Sequence, residues 1–190
     1  MGATPCVIPY KKHDSSLQHK NKARLKFLRS RNGQKMVAIA RRVGFKWGVG
    51  EWGCFDFSVG HGCGDDVFDF AHEIAHWVVA APERKMMPEF GFELLSEQDS
   101  IEEENLASLL GISYLLRIGC VVEAEGVILS HRWCDIEIDE LEWTLFTLRK
   151  KRLISRSGAM RLLRAWKYVS SEYTPGRKIE KHLRIWREIL

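Results

Sequence analysis

The segment His72-Glu73-Ile74-Ala75-His76 constrains this chain more than any other feature. Two imidazoles four residues apart act together only on a helix. There, about 400° of rotation brings both rings to nearly the same face, one turn apart. In that register both can bind one metal ion through neutral nitrogens, with Glu73 beside the open coordination position. The surrounding DVFDFAHEIAHWVVA reads as a helix, capped by Asp65 or Asp66 and stopped before Pro82. A metal-free pair of structural histidines is the alternative reading of the same residues.

Two histidines leave a divalent ion short of protein ligands, and the next helix offers three carboxylates, Glu102, Glu103 and Glu104. We expect that helix to be capped by Ser100 and to run through IEEENLASLLGISYLLRIG, its acidic first turn suiting the positive end of the dipole. Glu104 shares a face with Ala107, Ser108 and Gly111, at +3, +4 and +7. Small residues there allow the close approach that a shared metal requires, so Glu104 is the favoured third ligand. Glu103 is the alternative. It shares a more ordinary core stripe with Leu106, Ala107, Leu110 and Tyr114, and Glu102 ranks third. His61 and Tyr114 are candidates for lining the site.

The rest of the chain predicts an α+β fold, predominantly helical. A zincin-like HExxH helix and a second ligand helix are backed by a small sheet. The sheet expectation comes from FKWGVGEWGCFDFSVGHG, where apolar and polar residues alternate among glycines, giving two short strands with a turn near Gly50–Gly53. LQHKNKARLKFLRS reads as a helix closed by Asn32-Gly33, and MVAIARRVGF as a helix ending near Gly44. CVVEAEGVILSHRW is ambiguous between strand and helix, and three further helices follow. We expect residues 1–16 to be a mobile N-terminus and 17–190 a single metal-binding catalytic domain, with basic helical arms at 17–42 and 148–190.

Charge is segregated along the chain. Residues 11–42 hold eleven Lys/Arg against one acid, residues 51–104 fourteen acids against two bases, and residues 148–190 thirteen bases against three acids. Solvated helix faces are the plain account of the arms, and nucleic acid a possible partner for them. No apolar run approaches the roughly 18 residues of a membrane span. The opening MGATPC has no apolar signal core, and Cys6 stands where a myristoylation motif takes Ser or Thr. Five widely spaced cysteines without a CxxC argue for a reducing compartment. The expectation is a cytoplasmic protein with no membrane association. Its oligomeric state is not legible.

HEIAHWVVAAPERKMMPEFGFE, preceded by FSVGHG, resembles the elongation factor P hydroxylase family over about residues 55–115. The resemblance is carried by His72 to Trp77, Ala80-Ala81, Arg84-Lys85, Glu89-Phe90-Gly91 and His61-Gly62. It implies one metal held by two His and one carboxylate, with Fe2+ as the ion for oxygen chemistry and a protein as the substrate. The same ligands serve zinc peptidases, in which Zn2+ activates water and Glu73 takes its proton. In a hydroxylase Glu73 handles protons beside the metal. An inactive metal-binding fold, serving as an interaction module for protein or nucleic acid, is the reading from a third class.

Overall fold

The structure is a computed structural model that describes residues 26, 29–47, 54–55, 67–85, 87–130 and 138–173. The expected mobile start, the Asp65/Asp66 cap, His61 and the last predicted helix lie outside the described residues.

Six α-helices are present among the described residues. The first, α1 (Arg31–Val43), starts at Ser30, whose Oγ accepts the Gly33 amide at 3.0 Å. Asn32-Gly33 therefore lies in the first turn of α1, where we expected it to close an earlier helix. Gly44, at φ +76°, ends α1 in the left-handed conformation that a Cβ disfavours. Met36, Val37, Ile39 and Ala40 form its buried stripe. The second helix, α2 (Val67–Val79), carries the two histidines and buries Phe70, Ala71, Ile74 and Ala75. A 3-10 turn, Pro88–Leu94, leads to α3 (Glu97–Ile118), the longest helix and the centre of the fold. Then come α4 (Val121–Ser130), α5 (Ile138–Lys150) and α6 (Arg156–Tyr173).

The α+β expectation is overturned: among the described residues the fold is all-helical. Of the glycine-rich segment, the described residues form a two-residue parallel pairing, Lys46 with Cys54 and Trp47 with Phe55, too short to form a layer. Helices α1, α3 and α4 pack on α2, so the layer behind the histidines is helical. Phe45 covers the back of α2, with ring centroids 6.3 Å from Phe70 and 6.0 Å from Trp77. The Trp77 indole donates to the Val43 carbonyl at 3.0 Å. The ambiguous segment after Gly119 is helical: α4 buries Ala124, Val127 and Ile128 on one stripe and leaves Val121, Val122 and Leu129 exposed.

The start of α3 also differs from expectation. Ser96, not Ser100, is the cap: its Oγ accepts the Asp99 amide at 3.1 Å and donates to the Asp99 carboxylate at 2.6 Å. Ser100 sits inside the first turn, its hydroxyl donating to the Glu97 carbonyl. Glu102, Glu103 and Glu104 consequently occupy the second turn, where the helix dipole acts less on them. At the other end, Lys35 from α1 donates to the Ile118 carbonyl at 2.7 Å, satisfying one of the terminal acceptors of α3. No helix among the described residues is long and apolar enough to cross a membrane.

Candidate metal centre

Helices α2 and α3 make the most extensive contact in the fold, and small residues permit it. Ala107, Ser108 and Gly111 are all buried on α3. A Cβ built on Gly111 would lie only 3.3 Å from the His72 Cα and backbone nitrogen. That is tighter than ordinary contact, so a side chain there would push the two helices apart. The two helices run antiparallel past this contact, Gly111 beside His72 and Glu103 and Glu104 beside His76.

The close approach delivers Glu104 to both rings. Its carboxylate spans the pair, one oxygen 3.0 Å from His72 Nε2 and the other 3.1 Å from His76 Nε2. The two Nε2 atoms are 3.0 Å apart, and the rings are nearly perpendicular, at 89°. His72, His76 and Glu104 are the one group among the described residues whose donor atoms could hold a metal ion together, all within 4.8 Å. For metal–ligand bonds of about 2.1 Å, neighbouring donors lie about 3.0 Å apart on an octahedral ion and about 3.4 Å apart on a tetrahedral one. The Nε2–Nε2 separation and the two Nε2–oxygen contacts fall near these values, with Glu104 turning a different oxygen to each ring. The donor set matches borderline divalent ions, including zinc and ferrous iron. Glu104 is 48% exposed, so the ligand triangle opens to solvent on its side.

The other ring nitrogens have their own partners. Ser108 Oγ lies 3.4 Å from His72 Nδ1 and 3.5 Å from a Glu104 oxygen. His76 Nδ1 faces Glu103 at 3.9 Å. Glu103, the alternative ligand by sequence, is buried behind His76 and forms an ion pair with Arg84. Arg84 also donates to the Phe90 carbonyl at 3.0 Å. The 3-10 turn thereby walls the His76 ring. Phe90 stacks on it at 6.3 Å and 19°, and Phe92 meets it edge-on at 5.8 Å. Phe90 itself sits at φ +55°, a costly backbone for an aromatic residue, and it precedes Gly91 at φ +63°. Arrangements of this kind fix the orientation of ligand histidines.

Charge is balanced within the cluster. Burial opposes the charged form of His76, but the Glu103 and Glu104 carboxylates, with Glu73 adding at longer range, push its pKa up to about 9. Burial likewise opposes ionisation of Glu104, yet His72 and His76 hold its carboxyl below the usual carboxylate range. Glu103 is lowered too, its burial outweighed by His76 and Arg84. In the metal-free molecule His76 is thus protonated at neutral pH. A metal ion would take the place of that proton.

The remaining sequence candidates divide. Glu73 is half-buried on α2 within electrostatic reach of His76. Glu102 does not join the triangle; it lines a cleft on the far side of Glu103. Tyr114 is ten residues from Glu104, about 15 Å along the helix axis. It is buried there, and burial pushes its hydroxyl up to about 12. His61 lies outside the described residues. Sequence reasoning missed Arg84, Phe90 and Phe92 as parts of the site. Their signal was two aromatics flanking a glycine in the short connection between the two ligand helices. No protein-family model, curated protein or solved structure matches this chain.

Proposed function

We propose that this chain is a mononuclear metal enzyme that holds one divalent ion on His72, His76 and Glu104. The observation that supports it is the meeting of these three side chains, the two Nε2 atoms 3.0 Å apart and each 3.0–3.1 Å from a different Glu104 oxygen, with each histidine also faced by a second polar group at its Nδ1. We read the enzyme as an oxygen-dependent hydroxylase acting on a macromolecular substrate, following the resemblance of residues 55–115 to elongation factor P hydroxylase. When bound, iron would supply a change of oxidation state and positions open to O2. The protein's own residues do the rest. Arg84 and Glu103 hold His76 from behind, and Phe90 and Phe92 shield its ring from water. Glu104 would hold the ion on the solvent side, and Glu73, within electrostatic reach of His76, would take a proton from water or substrate at the open position and return it to the product.

The placement of Glu73 directly after His72 favours a second reading, a zinc peptidase in which that carboxylate takes a proton from water. One experiment separates the two. Apo-protein reloaded anaerobically with ferrous iron is expected to consume O2 with a verified substrate bound, and the zinc form is expected to be inert. Glu73→Gln should keep the metal and lose turnover in either case. Peptide cleavage by the zinc form that depends on Glu73, with an iron form inert to O2, would replace the hydroxylase reading with the peptidase one. Failure of His72→Ala to abolish stoichiometric metal would end both.

A further inference from the structure

The turn between α5 and α6, and the exposed side of α6, carry a concentration of positive charge that the metal centre does not use. Residues 143–171 contain eight Lys/Arg and no Asp or Glu. Lys150, Lys151, Arg152, Arg161 and Arg164 are all exposed, and none of them makes an ion pair among the described residues. Cations that make no ion pair repel one another, and a polyanion laid on them would relieve that repulsion.

Helix α6 arranges part of this charge in a line. Its buried residues include Ala159, Leu162, Leu163, Trp166 and Val169. That leaves an exposed stripe of Ser157, Arg161, Arg164 and Tyr168, spaced four, three and four apart. From Arg161 to Tyr168 the stripe covers about 10 Å of helix axis, the length of about three stacked nucleotides. Arg161 and Arg164 present planar guanidinium groups suited to bidentate phosphate contact. Tyr168, 55% exposed, adds a ring on which a base can stack. An acidic protein segment would use the cations but has no need of the ring.

We propose that this surface binds single-stranded nucleic acid through its phosphate backbone, with Tyr168 stacking on a base. Duplex is disfavoured by shape. A helix that reads a major groove about 8.5 Å deep must expose much of its circumference, and α6 exposes one stripe. One residue of the turn, Lys151, reaches a cleft beside α2 and α3. It lines this cleft of about 420 Å³ together with Arg84, Asp99, Glu102 and Glu103, and Arg84 and Glu103 are the pair that backs His76. The inference stands on the α5–α6 surface alone and goes beyond the metal reading.

The test is fluorescence anisotropy of the full chain with a labelled oligouridine of about 20 nucleotides, against a duplex of similar length and a polyglutamate competitor. About five phosphate contacts give a slope of log K on log salt near −3.5, so affinity should fall about 100-fold between about 50 and about 200 mM KCl. Arg161→Ser with Arg164→Ser should weaken binding about ten-fold and make the slope shallower by about 1.4. Tyr168→Ala should weaken it at least about five-fold and leave the slope unchanged. Because these side chains are exposed, an unchanged melting curve is expected to show each variant folded. His72→Ala should bind the strand as the unaltered chain does, which keeps this outcome separate from the metal reading. Full affinity in the double variant would overturn the proposal. So would equal or tighter binding of duplex, competition by polyglutamate at equal charge, or loss of binding in His72→Ala.

Discussion

Replacing Gly111 with alanine puts one methyl between the two helices that carry the candidate ligands. The new Cβ would lie 3.3 Å from the His72 Cα and nitrogen and 3.4 Å from the Ala71 carbonyl carbon. Ordinary carbon contacts are about 3.5–4.0 Å, so α2 and α3 must part by a few tenths of an ångström. All three neighbours are backbone atoms of a packed helix, and no side chain can swing aside to relieve the contact. Overpacking of this kind costs about 1–3 kcal/mol, offset by about 1 kcal/mol from alanine's better helix propensity. The net expectation is a loss of about 0–2 kcal/mol. The larger effect falls on the site, because the displaced backbone belongs to a ligand. Donor positions at metal sites tolerate about 0.2 Å, so metal affinity should fall at least about ten-fold.

Gly126→Ala is the control. Gly126 lies within α4 with nothing within 4 Å of a built Cβ, so the same substitution should stabilise by about 0.5–1 kcal/mol and leave the metal untouched. Urea unfolding of the metal-free proteins and chelator competition with Zn2+ read the two effects separately. The difference in stability between the variants is the cost of the close approach. If Gly111→Ala stabilises as much as Gly126→Ala and binds metal as tightly as the unaltered protein, the close approach is irrelevant to the site.

Glu104→Ala should lower metal affinity by orders of magnitude in a chelator titration, whereas Glu102→Ala should leave it within about two-fold; the reverse order would misassign the third ligand. Arg84→Leu leaves the buried Glu103 carboxylate with His76 as its remaining partner and should cost up to about 3 kcal/mol in urea unfolding. Adding Glu103→Leu should recover most of that loss, and no recovery would mean that Arg84 acts through the Phe90 carbonyl instead. Metal-free protein should lose stability as pH rises. His76 has a pKa of about 9 when folded against 6.5 as its ordinary value, so its contribution is full below about pH 6.5 and disappears as pH passes 9, a loss of about 3 kcal/mol. Glu104 works in the opposite direction: its folded pKa is lowered, so its contribution is present above pH 4.5 and lost as pH falls below that. A flat profile between pH 6 and 10 in chelator would contradict the protonated His76.

What was legible in the sequence is what a single helix determines. The HExxH spacing places two rings on one face whatever the surroundings. The run Glu104, Ala107, Ser108, Gly111 marks the one face of α3 that can come close, and the Cβ distances at Gly111 agree with that. Less legible was anything decided by two local signals of equal strength. Ser96 and Ser100 each stand three residues before an acid, Asp99 and Glu103, so either could open a capping box. Ser96 caps with Asp99 beside it, the Asp99 carboxylate accepting from the Ser96 hydroxyl, while Glu103 is drawn inward by Arg84, nineteen positions earlier in the chain. The same distant partner explains why Glu103, equal to Glu104 in composition and one position away, backs a ligand where Glu104 faces the two rings. The expected sheet failed for a related reason. Alternation over FKWGVGEWGCFDFS describes a half-buried surface, but α1, α3 and α4 already cover α2, and among the described residues two on each side pair. Periodicity identifies the face an element buries; the partner that takes that face is chosen by contacts far apart in sequence, and here those contacts are helical.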